Sequence, residues 1–291
     1  MKLVTIDSRE VAGRPGVLLD GGLILDLSAA PGSLSASQWV PQSTISILAA
    51  GERGLMHAGQ LAASVGENAE RLRQAGALLK LTGTALMAPM RRPGLILISH
   101  ILGDGAAASF IKSPNTAGAH ASIVAMHGQD TLIANPMFAA VLGKPLYQSS
   151  REEVEAAISA WTLCVDLSPV YADPDNAADW RNYVSGRQFP GSMPIGPALI
   201  TVDELENPGA VRASVKINGI ETWAGLICPP TVDCVDRLEQ LTHDYAFSPG
   251  DVIAFATADD SPSSPRQKLK AGDVFSVAAG RTMDLGFQLR P

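Results

Sequence analysis

Apolar residues come in short phrases broken by glycine, proline and aspartate, so the chain reads first as strands and turns. Leu3–Ile6, Val17–Leu19 and Leu23–Leu27 are brief apolar runs, with Gly13-Arg14-Pro15-Gly16 between the first two and Asp20-Gly21-Gly22, a hairpin turn, between the last two. The period then lengthens. Ile45, Leu48 and Ala49 stand at helical spacing, and Leu61, Val65, Ala69, Leu72 and Leu79 carry a longer helical pattern interrupted by Gly66 and Gly76. The proline-bounded phrase from Met87 to Gly94 reads as a boundary near residue 85. Residues 1–84 are therefore expected to form a small N-terminal domain, and residues 85–291 a larger C-terminal one.

Beyond that boundary strands dominate. Leu95–Ile98, Ile123–Ala125, Phe138–Leu142, Thr162–Leu167, Ala198–Val202, Val211–Ile217, Val252–Thr257 and Val274–Ala278 all read as strands. Ser248-Pro249-Gly250-Asp251-Val252 and Lys270-Ala271-Gly272-Asp273-Val274 repeat one phrase, a turn that opens a β-branched strand. A single helix stands out here, Ser149–Ile158, where Ser150 and Glu153 have the spacing of a capping box. The expected class is α+β and β-rich, with a rolled or barrel-like sheet as its core.

Composition narrows the function classes. Twenty-two basic and 29 acidic residues leave a net charge of −7. Nucleic-acid and anionic-membrane partners are therefore not expected, because both require a basic face. The apolar runs are too short to span a bilayer, and the opening residues lack the apolar stretch of a signal peptide. Cys164, Cys228 and Cys234 form no C-x-x-C pair, so a disulfide framework is not expected and a cytoplasmic location is. No glycine-rich dinucleotide loop, Walker loop, zincin helix or G-x-S-x-G elbow is present. The five histidines are scattered.

A series of weaker fragments is more informative. They run in order: Met1–Thr5 with Gly13–Leu18, Pro93–Leu97, Phe110-Ile111-Lys112-Ser113-Pro114, Ala140–Lys144, Pro194-Ile195-Gly196-Pro197 with Thr201–Leu205, Asn218-Gly219, Pro249–Ile253 and Leu269–Asp273. In this order and spacing the chain resembles the fumarylacetoacetate hydrolase family over nearly its whole length. The resemblance implies a mixed β-roll core behind a small N-terminal β/α domain, a homodimer, and action on small dicarbonyl or oxo-carboxylate compounds. It also implies a Mg²⁺ ion that chelates the dicarbonyl and stabilises an enolate.

The departures fall on the catalytic parts. The family's E-x-E metal motif is replaced by Asn135-Pro136-Met137, and no glutamate occurs between residues 100 and 150. Asp166 keeps the third ligand position, but the arginine that follows it in the family is Val170. The family's catalytic histidine and glutamate fall at about Ala106 and Ser109, and a family lysine falls at Arg187. The late G-T-P loop keeps only Thr257. No cofactor is expected, since Asp166 beside an amide and a thioether makes a poor Mg²⁺ site.

Charge counting suggests what replaces the ion. The family pocket sums to about +2 with its metal; here Asp166, Lys112 and Arg187 sum to about +1 without one. Lys112 and Arg187 are thus candidate oxyanion stabilisers. The plain alternative makes them a solvated lysine and a surface arginine, with Asp166 serving strand-end backbone donors. His100 is the candidate general base, with Asp104 four residues on to orient it; His120 and His127 are held in reserve. Asp104 and Thr257 are the candidate substrate-binding residues. Three functions follow: a metal-independent lyase, hydrolase or isomerase for an enolisable oxo-acid; a catalytically silent homologue that binds a small molecule or a partner subunit; or an ordinary Mg²⁺ enzyme whose motif lies elsewhere.

Overall fold

A computed structural model of the chain describes residues 1–8, 13–30, 41–101, 107–126, 128–170, 184–205, 207–228, 233–257, 264–280 and 284–291. The N-terminal part contains β1 (Lys2–Ile6), β2 (Arg14–Leu19), β3 (Leu23–Asp26), α1 (Thr44–Ala49), α2 (Gly51–Ala63), α3 (Val65–Gln74), β4 (Leu78–Lys80) and β5 (Leu86–Met87). It is followed by β6 (Ile96–Ile101), β7 (Ala107–Lys112), β8 (Ala117–Gly118), β9 (Ser122–Ala125), β10 (Leu132–Leu142), α4 (Arg151–Ala157) and β11 (Ile158–Pro169). The last third holds β12 (Met193–Pro194), β13 (Ala198–Thr201), β14 (Arg212–Ile217), β15 (Ile220–Leu226), α5 (Cys234–Asp244), β16 (Val252–Thr257), β17 (Gln267–Leu269), β18 (Val274–Ala279) and β19 (Leu285–Arg290).

The β-rich α+β class expected from the sequence is the class observed. The largest sheet runs β4-β3-β2-β1-β13-β11-β10-β16-β6-β7, with β5 on β1 and β17 on β10. A second sheet runs β15-β14-β18-β19-β9, and β12 pairs with β8 in a third. The first sheet crosses the boundary read near residue 85, because β1 pairs with β13 at Lys2–Val4 against Ala198–Ile200. One core packs Phe138, Leu163, Val165 and Phe255 with the second sheet. The other packs Ile96, Ile98, Phe110, Met137 and Cys164 beneath α1 to α3.

Two local readings are corrected. The spacing places Leu79 in the long helical pattern, but α3 stops at Gln74, Gly76 takes φ = 68°, and Leu79 pairs with Ile24 as a strand residue. A left-handed φ is open to glycine at little cost, so Gly76 ends the helix rather than interrupting it. The second concerns α5, which the sequence reading lacks. Asp233 caps it, accepting from the N–H groups of Val235 and Asp236 at 2.8 and 3.2 Å, and Leu238 and Leu241 are buried at helical spacing. Both capping-box bonds of α4 are present as expected, Ser150 to Glu153 and back.

Candidate functional site

The site is built on the pairing of β10 with β11. Along its other side, β10 pairs with β17 at Leu132–Ala134 and with β16 at Phe138–Val141. Asn135, Pro136 and Met137 fall in the gap between those partners. A proline is excluded from fully paired sheet interiors because it has no N–H, and this singly paired stretch accommodates Pro136. In the β10–β11 ladder Asn135 stands opposite Asp166, and Met137 opposite Cys164. Directly opposed residues share a face with Cβ atoms about 5 Å apart. The three positions that the family resemblance assigns to metal ligands are thus neighbours on one face.

Lys112, at the end of β7, and Arg187 both reach Asp166 on that face. Lys112 Nζ donates to Asp166 Oδ1 at 2.5 Å and to the Ser192 carbonyl at 2.7 Å. Arg187 donates to Asp166 Oδ2. The segment carrying Arg187 is tied to β11, since Ser192 Oγ donates to the Arg187 carbonyl at 2.7 Å and the Leu167 N–H donates to the Ser192 carbonyl at 2.9 Å. Above the ion cluster the Arg187 guanidinium lies 5.3 Å from the centre of the Phe110 ring, and His100 stacks on the same ring at 5.7 Å.

All of these groups are buried: Lys112 and Asp166 at 0% exposure, Arg187 and His100 at 2%, Asn135 at 4%. This overturns the solvated-lysine and surface-arginine alternative, and Asp166 serves two side-chain cations, not strand-end backbone donors. Burial pushes the Asp166 carboxyl up, but Lys112, Arg187 and, more weakly, His100 outweigh it and hold the carboxyl below its ordinary range. Burial pulls the Lys112 ammonium down, and Arg187 adds to that against the opposing pull of Asp166. The cluster therefore sets one carboxylate between two basic side chains whose formal charges sum with it to +1. Asn135 adds a neutral amide whose Oδ1 is buried and accepts no hydrogen bond.

These residues do not fit a Mg²⁺ ion. Both oxygens of Asp166 already carry a cation, Met137 offers a soft thioether to a hard ion, and one amide oxygen remains. Among the described residues no three histidines, cysteines, aspartates or glutamates come together.

The remaining candidates scatter. Asp104, Ala106 and His127 lie outside the described residues. Thr257 ends β16, its backbone paired with Ile101. Ser109 faces away from Lys112 and, with Ser99, takes hydrogen bonds from Arg237 on α5. β6 and β7 are joined by residues 102–106 alone, since Ile101 pairs with Ala107. The Ser192 carbonyl had no signal in the sequence, because a backbone acceptor has none.

His120 sits on the second sheet, its Nδ1 accepting from the Gly286 N–H at 3.1 Å. Burial holds its pKa below the ordinary 6.5, against a weaker opposing effect of Asp284. A base depressed in the fold contributes stability that is present above the unfolded value and lost as pH falls toward the folded one. The melting temperature should therefore drop more steeply below pH 6.5 in the wild type than in a His120→Gln variant. Parallel slopes would remove His120 from the pH response.

Comparison with known proteins gives a consistent neighbourhood. A family model described as fumarylacetoacetate (FAA) hydrolase C-terminal matches residues 103–290. The oxaloacetate tautomerase YisK of Bacillus subtilis (strain 168) is 24% identical over 280 residues, covering 90% of this chain and 91% of that protein. The maleylpyruvate hydrolase of Aquipseudomonas alcaligenes is 25% identical over 217 residues, 66% of this chain and 72% of its own. Among solved structures, maleylpyruvate hydrolase from Sphingobium sp. SYK-6 in complex with manganese(II) and pyruvate superposes with a TM-score of 0.72 at 17% identity, covering 100% of this chain and 99% of that one.

Proposed function

Because the chain belongs to the fumarylacetoacetate hydrolase family, we propose that it acts on a small enolisable dicarbonyl or oxo-carboxylate without a metal ion, by keto–enol isomerase chemistry or the lyase and hydrolase steps that share its enolate. The observation that carries this reading is the buried Lys112–Asp166–Arg187 cluster, whose formal charges sum to +1, set beside the buried Oδ1 of Asn135. Lysine has three N–H donors. Asp166 and Ser192 take two from Lys112, and the third is assigned to the enolate oxygen. Arg187 adds charge to the same pole and attracts the substrate carboxylate. Asn135 Oδ1 suits the O–H of an enol. His100, beside Phe110, is the group to move the proton between carbon and oxygen. Isomerisation asks least of this machinery, since it needs no attacking water, and a tautomerase relative aligns over nine-tenths of the chain.

A second reading has its own support. Both oxygens of Asp166 are committed, every group of the cluster is buried, and Met137 puts a thioether on the ligand face. Those features suit a catalytically silent homologue that binds a small molecule or stabilises a partner subunit. The family reading also makes the protein a homodimer, and the exposed Ile111 and Ile123 on the edge strands β7 and β9 are in keeping with that; a cytoplasmic location is proposed on its free cysteines.

The deciding experiment uses chelator-stripped protein. Proton exchange at the carbon beside the ketone of pyruvate or oxaloacetate is followed in D₂O, alongside calorimetry of Mg²⁺ and Mn²⁺ with oxalate as an enolate mimic. Metal-free exchange that disappears in His100→Ala supports the proposal. Binding of oxalate without exchange selects the silent binder. Tight metal binding, with exchange restored only by the ion, overturns both.

A further inference from the structure

Two cysteines have no part in the ion cluster. Cys228 lies two residues beyond β15, and Cys234 opens α5; their Sγ atoms are 3.2 Å apart and both side chains are buried. The spacing is not C-x-x-C, so the pair is made by the fold; Cys234 follows Asp233, the cap of α5. A disulfide bond is about 2.05 Å long. Closing the gap therefore needs a shift of about 1.2 Å between two side chains already in contact. The third cysteine behaves differently. Burial drives the Cys164 thiol far up, whereas the contact with Cys234 holds the Cys228 thiol below its ordinary value. The thiolate is the reactive form, and the lowered Cys228 thiol suits the attacking role.

We propose that Cys228 and Cys234 form a reversible oxidation site that closes to an intrachain disulfide when the protein meets hydrogen peroxide. The Cys228 thiolate attacks one peroxide oxygen and the O–O bond breaks. This gives a sulfenic acid and a hydroxide, which takes up the thiol proton as water. The Cys234 sulfur then displaces the sulfenic oxygen, the S–S bond forms, and a second water leaves. One peroxide is reduced to two waters as two thiols are oxidised, and a dithiol reverses the change by exchange. The bond staples the first turn of α5. Three residues on, Arg237 holds Ser99 and Ser109 at 2.8 and 3.0 Å, the cross-strand pair next in sequence to His100 and Phe110.

The test is a thiol count on the full-length native protein, treated with hydrogen peroxide, quenched, then denatured and alkylated. The expected result is a fall from three alkylated cysteines to one, a mass lower by two hydrogens, and a linked peptide containing Cys228 and Cys234. Dithiothreitol should restore all three. A Cys234→Ser variant should lose the linked peptide while Cys228 goes to a sulfenic or higher oxide. Three free thiols after peroxide that oxidises the unfolded chain would overturn the proposal. So would oxides on Cys228 of the wild type without a link, or a link to Cys164 or to a second chain.

Discussion

Asp166→Asn is expected to cost about 3–5 kcal/mol of folding stability, because it leaves the buried cations of Lys112 and Arg187 facing each other with no counter-charge. In a chain of this size that corresponds to a fall in melting temperature of roughly 6–20 °C. The charge count predicts an order among the variants. Removing Asp166 leaves two positive charges, whereas Lys112→Met leaves a neutral Asp166–Arg187 pair and an apolar side chain of similar length. The lysine variant should therefore lose less than half as much. Thermal melts of the two side by side test this, and equal losses would mean that the surplus charge of the cluster is not what governs its energetics. Acid provides a second readout. The Asp166 carboxyl sits below its ordinary range in the fold, so its contribution is complete above the unfolded value and disappears as pH falls through the depressed one. The acid limb of Asp166→Asn should accordingly be flatter than that of the wild type.

Arg187→Met separates function from stability. Lys112 stays on Asp166 in this variant, one charge against one, and methionine keeps contact with the Phe110 ring. The fold should survive with a melting temperature within a few degrees of the wild type. Oxalate or pyruvate affinity should fall by at least about 30-fold, the lower end of the 2–5 kcal/mol lost when one member of a buried charge pair is removed. Calorimetry on chelator-stripped protein measures it. Unchanged affinity in a well-folded variant would take Arg187 out of the binding pole and leave Lys112 and Asn135 as the remaining ligand contacts.

Much of the strand layout was legible in the chain because apolar phrases bounded by glycine, proline and aspartate carry it locally. Val252–Thr257 was read to the residue, and β14, β13 and β18 to within one. Buried central strands were read short. β10 begins at Leu132, six residues before the apolar run that announced it, because Asn135 and Pro136 break the apolar pattern where the strand lacks a neighbour on one side. The helix α5 is hard to see in the sequence although its cap and its Leu238–Leu241 spacing are present, since it is short and stands among strand patterns.

For the site, Lys112, Asp166 and Arg187 could be picked out from the sequence through the family resemblance, which suggested basic side chains in place of acids and an ion. Their charges were countable from the sequence because charge is a property of the residue. What the tertiary structure decided is where those charges go: both cations close on one carboxylate, out of water, with His100 and Phe110 stacked above and an unsatisfied amide alongside. Strand register and the return of the chain at residues 187–192 bring together groups up to 87 positions apart, from His100 to Arg187. The same holds for Cys228 and Cys234, whose spacing matches no redox motif and whose contact is seen only in the fold. Pairwise distances between such groups are set by packing and hydrogen bonding across the sheet, and no local pattern along the chain encodes them.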